Sequence, residues 1–122
     1  MNIEQLREYC LKKKAVTEEF PFDEHTLVFK VLGKIFVMAP LDKWDIGEAS
    51  ITLKCDPEYT IELREQYDSI YAGPYVSNKH WNTIAIYKGE LQTKLILDLI
   101  DHSYEMVIKG MTKKLRDKLS EL

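Results

Sequence analysis

Ala49-Ser50-Ile51-Thr52-Leu53-Lys54-Cys55-Asp56-Pro57-Glu58 decides the fold class of this chain. Ala49, Ile51 and Leu53 alternate with Ser50, Thr52 and Lys54, the period of a strand with one buried face. Helix-start chemistry follows without a linker. Asp56 is suited to cap the free N–H groups of a first turn, Pro57 to the first helical position, where no N–H is needed, and Glu58 to the positive end of the helix dipole. The helix is predicted to run to about Tyr67. Tyr59, Leu63 and Tyr67, four apart, form its packing stripe, while Glu62, Arg64 and Glu65 are solvated. A strand feeding straight into a helix predicts helices laid against a sheet.

On the N-terminal side of this stretch, residues 26–39 read as a hairpin. Leu27, Phe29 and Val31 point one way, and Val28 and Lys30 the other. Leu32-Gly33 makes the turn, after which Ile35, Val37 and Ala39 share one face opposite Phe36 and Met38. Pro40 ends the second strand, and 40–48 is a loop whose Trp44 either folds back on the sheet or offers a contact surface. Residues 15–25 form a connector in which Phe20 and Phe22 cover a core edge. Residues 2–13 form a helix, with Ile3, Leu6, Cys10 and Leu11 on one side and Asn2 as its cap. Lys12-Lys13-Lys14 suits the negative end of that helix; contact with phosphate is the competing reading.

On the C-terminal side, Gly73-Pro74 breaks regularity and Tyr75-Val76 starts a short strand. Trp81 to Tyr87 is the last strand, with Asn82, Ile84 and Ile86 on the buried face and Trp81, Thr83, Ala85 and Tyr87 on the other. Residues 91–109 form the longest helix, packing through Leu95, Ile96, Leu99, Ser103, Met106 and Val107. Gly110 stops it, and Thr112 caps a final basic helix. Short turns favour antiparallel pairing. The expected fold is an α+β two-layer sandwich: one domain over residues 1–122, an antiparallel sheet of about five strands, and helices on one side.

With 122 residues, 45% hydrophobic and 30% charged, the chain is sized for one core. No apolar run approaches the roughly 18 residues of a membrane span. Met1-Asn2-Ile3-Glu4 has neither the basic nor the apolar part of a secretory leader, so the cytoplasm is the expected location. Cys10 and Cys55 lack C-x-x-C spacing and read as small apolar filler. No nucleophile stands in a recognisable catalytic pattern and the five glycines are scattered, so no catalytic residue, cofactor or phosphate loop is assigned. Asp98, Asp101, His102 and Glu105 have helical spacing but read as a solvated helix face, and no metal is expected. The net charge of −3 runs against a dedicated nucleic-acid binder, although residues 91–122 are slightly basic.

Asn78-Lys79-His80-Trp81-Asn82 is the one place where an amine, an imidazole, an indole and two carboxamides adjoin. Such a set stacks bases, reads polar edges and pairs with phosphate. Trp81 and Asn82 equally serve to pin a strand. Together with Glu18-Glu19-Phe20-Pro21-Phe22-Asp23, Leu27-Val28-Phe29-Lys30-Val31 followed by Gly33-Lys34, Leu53-Lys54-Cys55-Asp56-Pro57 and Asp101-His102-Ser103-Tyr104, this stretch resembles the MmcQ/YjbR family over nearly the whole chain.

The resemblance implies small bacterial cytoplasmic proteins with a CyaY-like (frataxin-like) sandwich, no enzymatic activity, and double-stranded DNA as the partner. It implies Lys30, Lys54, Asn78, Lys79, His80, Trp81 and Asn82 as the binding set, with His102 a further recurrent polar position. Frataxin's acidic first helix has no counterpart in the mixed-charge helix here, so iron is not carried over. The expected geometry puts Lys30 and Lys54 on an open sheet face beside the Trp81 strand. A protein- or small-ligand-binding adaptor using the same face, through Trp44, Tyr75, Trp81 and Tyr87, is the alternative.

Overall fold

The computed structural model describes residues 1–73, 77 and 79–122. In chain order it contains α1 (Ile3–Leu11), β1 (Val16–Glu19), β2 (Thr26–Val31), β3 (Lys34–Pro40), α2 (Leu41–Asp45), β4 (Ser50–Lys54), α3 (Pro57–Gln66), β5 (Ile70–Tyr71), β6 (Trp81–Ala85), α4 (Thr93–Lys109) and α5 (Lys113–Ser120). The strands form one antiparallel sheet in the order β1-β2-β3-β4-β6-β5. This is the expected α+β sandwich, with six strands where about five were predicted.

The added strands are short. β1 forms in the predicted connector because Val16 to Glu19 register against Val31 to Val28 at the sheet edge. β5 pairs only Ile70 and Tyr71 with β6. The strand expected at Tyr75-Val76 lies outside the described residues. β6 stops at Ala85, and Ile86–Lys88 tightens into a 3-10 turn. The predicted caps are present. The Asn2 side chain accepts the Gln5 N–H in a reciprocal capping box, Asp56 accepts from Glu58 and Tyr59, and Thr112 accepts from Leu115. Trp44 folds back, its indole N–H donating to the Ser50 carbonyl at 2.9 Å.

Alternation assigns the faces correctly in β2, β4 and β6, and fails in β3. Phe29 pairs with Val37, but Lys30 pairs with Ile35, so Phe36 is the extra residue of a β-bulge. Phe36 and Val37 are both fully buried. Phe36 therefore faces inward, edge-on to Tyr104 of α4 at 5.3 Å, and Ile35 faces outward. A bulge inverts the inside-outside pattern on one side of itself and leaves no mark in hydrophobic period. The turn before it is tight. Leu32 and Gly33 both have positive φ, 47° and 81°, as a two-residue hairpin of the mirror-image type requires.

Leu27, Phe29, Val31, Val37, Ile51, Leu53 and Ile84 pack from the sheet against Leu6 and Cys10 of α1, Leu63 of α3, and Ile96, Leu99, Ile100 and Val107 of α4. Four consecutive residues of α4 bind this layer together. Asp101 accepts the Tyr9 hydroxyl and the Lys13 ammonium. His102 Nε2 accepts the Asp56 N–H at 3.1 Å. Tyr104 donates to the Lys14 carbonyl at 2.7 Å.

Ser103, fully buried, donates to the Phe36 carbonyl at 2.6 Å and accepts the Lys54 N–H at 2.9 Å. Continuing the register of Val37 with Leu53 would set Phe36 opposite Lys54. The hydroxyl of Ser103 sits where those two backbone groups would meet. Ser103→Ala is expected to orphan a buried carbonyl and a half-buried N–H, costing about 1–3 kcal/mol of stability. Urea unfolding would check this, with Ser103→Thr retaining more of the stability than Ser103→Ala.

Candidate functional site

The antiparallel pairing brings the start of β1, the end of β2, the start of β3, the end of β4 and the start of β6 to one end of the sheet. The C-terminal turns of α1 and α4 reach the same end. Ala15 accepts the Leu32 N–H, and the Lys54 ammonium lies beside Gly110, 3.9 Å from where a Cβ would stand. This end gathers Lys12, Lys14, Lys34, Lys54, Lys79 and Lys109, none within ion-pair distance of a carboxylate among the described residues. Lys114 and Lys118 of α5 follow directly. Asp101 here is already held by Lys13, and Asp56 caps α3.

The opposite end is acidic. Asp23 and Glu24 lie between β1 and β2, Asp42, Asp45 and Glu48 between β3 and β4, and Glu90 after the 3-10 turn. Asp23 accepts the N–H groups of His25 and Thr26 at 2.8 and 2.7 Å, which hold its carboxyl below the usual range. Bonds from Ser69 do the same for Glu90. Arg7 of α1 binds Glu18 through two N–H groups at 2.9 and 2.6 Å, lowering the Glu18 pKa and tying α1 to the edge strand.

At the basic end, β3 and β4 separate beyond the Ser103 bridge. The gap is a groove of about 330 Å³ lined by Gly33, Lys34 and Ile35 on the β3 side, Lys54 and Trp81 on the other, and Val107, Gly110 and Met111 of the α4 terminus. Lys54 and Trp81 are directly paired across β4 and β6, with Cβ atoms about 5 Å apart. Trp81 is half-buried, while Lys34, Lys79 and His80 are exposed. The His80 carbonyl accepts the Cys55 N–H at 2.7 Å, which fixes this turn against the end of β4.

The predicted residues therefore divide. Lys54, Lys79, His80 and Trp81 come together at the basic end. Lys30 does not join them: β3 lies between its strand and β4, about 10 Å away. It is directed instead toward Glu19, at 3.4 Å. The pairing of Lys30 and Lys54 beside Trp81 on one sheet face is thus corrected to a cluster at the strand ends. Asn82 faces the helices and is 2% exposed. Its carbonyl accepts from Arg64 Nε at 2.8 Å and its amide donates to Thr60 at 3.1 Å, so it is a structural clasp that the alternation of β6 turns away from solvent. Asn78 lies outside the described residues. His102 is also structural, its ring edge-on to Tyr59.

Lys34 was missed as a site residue. The Gly33-Lys34 pair at the hairpin turn was visible, but its nearness to Lys54 depends on the splay between β3 and β4. Both cysteines are buried, and burial raises the Cys55 thiol and pushes that of Cys10 up to about 12. Among the described residues no cluster of three metal-ligating side chains forms, and no helix is long and apolar enough to cross a membrane.

The molecule is thus a two-layer α+β protein with a lysine-rich cleft at one end of its sheet. A YjbR family model matches residues 11–106, and the chain belongs to that family. The uncharacterized protein YbdF of Escherichia coli O157:H7 is 35% identical over 96 residues, spanning 78% of this chain and 75% of YbdF. The uncharacterized protein YjbR of Escherichia coli K12 is 26% identical over 122 residues, the full length of both. The crystal structure of Deinococcus radiodurans protein DR2400, a DUF419 domain, superposes with a TM-score of 0.86 at 35% identity, covering 98% of this chain and 88% of that one. A Pseudomonas syringae protein superposes with a TM-score of 0.71 at 27% identity, covering 88% and 99%.

Asn82→Leu should leave the Arg64 guanidinium and Thr60 without their carboxamide partner, lowering stability by about 1–3 kcal/mol in thermal or urea unfolding. The lysine cluster is untouched, so any polyanion affinity of the folded variant should stay at the wild-type value.

Proposed function

We propose that the protein is a non-enzymatic nucleic-acid-binding module whose contact surface is the basic strand end, with Lys34, Lys54 and Lys79 on phosphates and Trp81 among them. The observation that carries this reading is the convergence, beside a half-buried indole, of ammonium groups with no carboxylate in ion-pair distance among the described residues. An overall charge of −3 does not oppose it, because Asp23, Glu24, Asp42, Asp45, Glu48 and Glu90 stand at the far end, while Asp101 and Asp56 at the basic end are engaged by Lys13 and by the start of α3. A polyanion responds to the local field of the end it meets, within about 10 Å at ordinary salt. The burial of both thiols and the engagement of His102 by Asp56 support the non-enzymatic part.

A second reading, a protein-binding adaptor, is favoured by the open sheet face. Ile35 and Met38 stand there outside the core cluster, and Tyr71 on the same face is 42% exposed.

Fluorescence-anisotropy titration of a labelled oligonucleotide at several salt concentrations separates the two. Each phosphate contact should add about 0.7–0.9 to the slope of log affinity against log salt. A Lys79→Gln variant should lose about one contact, and Lys34→Glu with Lys54→Glu should abolish binding, while Lys94→Glu, paired to Asp98 on the exposed face of α4, changes little. Affinity that ignores salt and survives the double charge reversal would overturn the nucleic-acid reading in favour of the adaptor.

A further inference from the structure

Resting on that reading, we infer that the groove between β3 and β4 holds one unpaired nucleobase, so that the ligand is a single strand rather than a continuous duplex. The groove has two kinds of lining. Lys34 lies on one wall and Lys54 on the other, its ammonium beside Gly110, and Ile35, Val107, Met111 and the indole of Trp81 supply an apolar lining between them. A surface that met only phosphates would need the lysines alone. An apolar slot between two cations matches a flat aromatic base whose two flanking phosphates lie on either side of it.

The slot is a consequence of the backbone, which is why it has room. Ser103 ends the β3–β4 ladder at Phe36 and Lys54, and beyond it the strands diverge over the last turn of α4. Gly33 and Gly110 line the gap with no side chain of their own, and a Cβ built on Gly33 would meet nothing within 4 Å. Trp81 begins β6 beside this gap, directly paired with Lys54. Base stacking on an indole tolerates any sequence, because every base has a π face. A duplex keeps its bases stacked inside and would have to extrude one to fill the slot, at the expense of unpairing and unstacking.

The test uses the whole chain and four labelled probes of equal length: single-stranded DNA, single-stranded RNA, the matching DNA duplex, and a single DNA strand with abasic sites. One of the two base-bearing strands should bind about tenfold or more tighter than both the duplex and the abasic strand at the same salt, with quenching of tryptophan emission. Trp81→Leu should lose that advantage, about tenfold, while keeping the salt slope set by the lysines. Gly110→Leu gives a second route, because a side chain there occupies the floor of the groove. Its backbone is an ordinary right-handed one at φ −80°, and a Cβ has only van der Waals contacts. It should lower single-strand affinity to the level of the duplex.

Equal or tighter binding of the duplex or the abasic strand, with the salt slope intact, would overturn the base slot and leave the phosphate-binding reading standing. Absence of binding to all four probes would overturn both. Undiminished single-strand affinity in correctly folded Trp81→Leu and Gly110→Leu would overturn the slot alone.

Discussion

A single hydroxyl decides the shape of the sheet. Ser103 reaches from α4 into the seam between β3 and β4 and takes the two backbone groups that would otherwise bond each other. β1, β2 and β3 form one half of the sheet and β4, β6 and β5 the other, and the described ladder joining the halves is only Val37 with Leu53 and Met38 with Thr52. The shortness of that seam explains why α4 is both the longest helix and the one whose Ile96, Leu99, Ile100 and Val107 pack beneath it. The helix completes what the ladder leaves open. Its neighbours in sequence extend the same service outward: Asp101 to α1, His102 to the cap of α3, and Tyr104 to the junction before β1.

Charge follows from the same topology. In an antiparallel sheet successive connections alternate between ends. The connections α1–β1, β2–β3 and β4–α3, the turn before β6 and the α4–α5 junction all fall at one end, and each carries or adjoins a lysine. The connections β1–β2, β3–α2–β4 and the turn before α4 fall at the other and carry Asp23, Glu24, Asp42, Asp45, Glu48 and Glu90, with Lys43 and Lys88 among them. Ion pairs consume cations mostly away from the basic end: Arg7 with Glu4 and Glu18, Lys30 with Glu19, Lys43 with Glu48 and Lys94 with Asp98. Among the described residues most lysines without an ion pair therefore lie at the basic end, with Lys88 of the 3-10 turn an exception at the other.

Much of the fold was legible because strong local rules agreed. Asp56-Pro57-Glu58 after an alternating strand, Asn2 and Thr112 as caps, and the periodicity of α4 each named an element without help from the rest. What was hidden depends on partners distant in the chain. β1 exists because β2 offers an edge, and Phe36 turns inward because a bulge inserts it. Ser103 read as one more residue of a packing stripe, though its role is to replace a backbone partner. For the site, Lys79, His80 and Trp81 were visible as a cluster of chemistry, and Lys54 as an outward strand residue. Lys30 looked equivalent to Lys54 from alternation alone. Nothing in its neighbours along the chain announced Glu19, eleven residues earlier, which the edge pairing brings diagonal to it, two residues along β1 from its partner Thr17. Asn82 sat in the motif but belonged to the opposite side of the strand.

With Lys34, Lys54, Lys79 and Lys109 at one end of the sheet and Asp23, Glu24, Asp42, Asp45, Glu48 and Glu90 at the other, the molecule has a polar axis as well as a net charge. Near a strongly anionic surface such a body feels a torque before it makes contact, and it rotates until the lysine pole leads. Encounters are thereby sorted by orientation during diffusion, and the trailing carboxylates give the far pole a coat that repels the same surface.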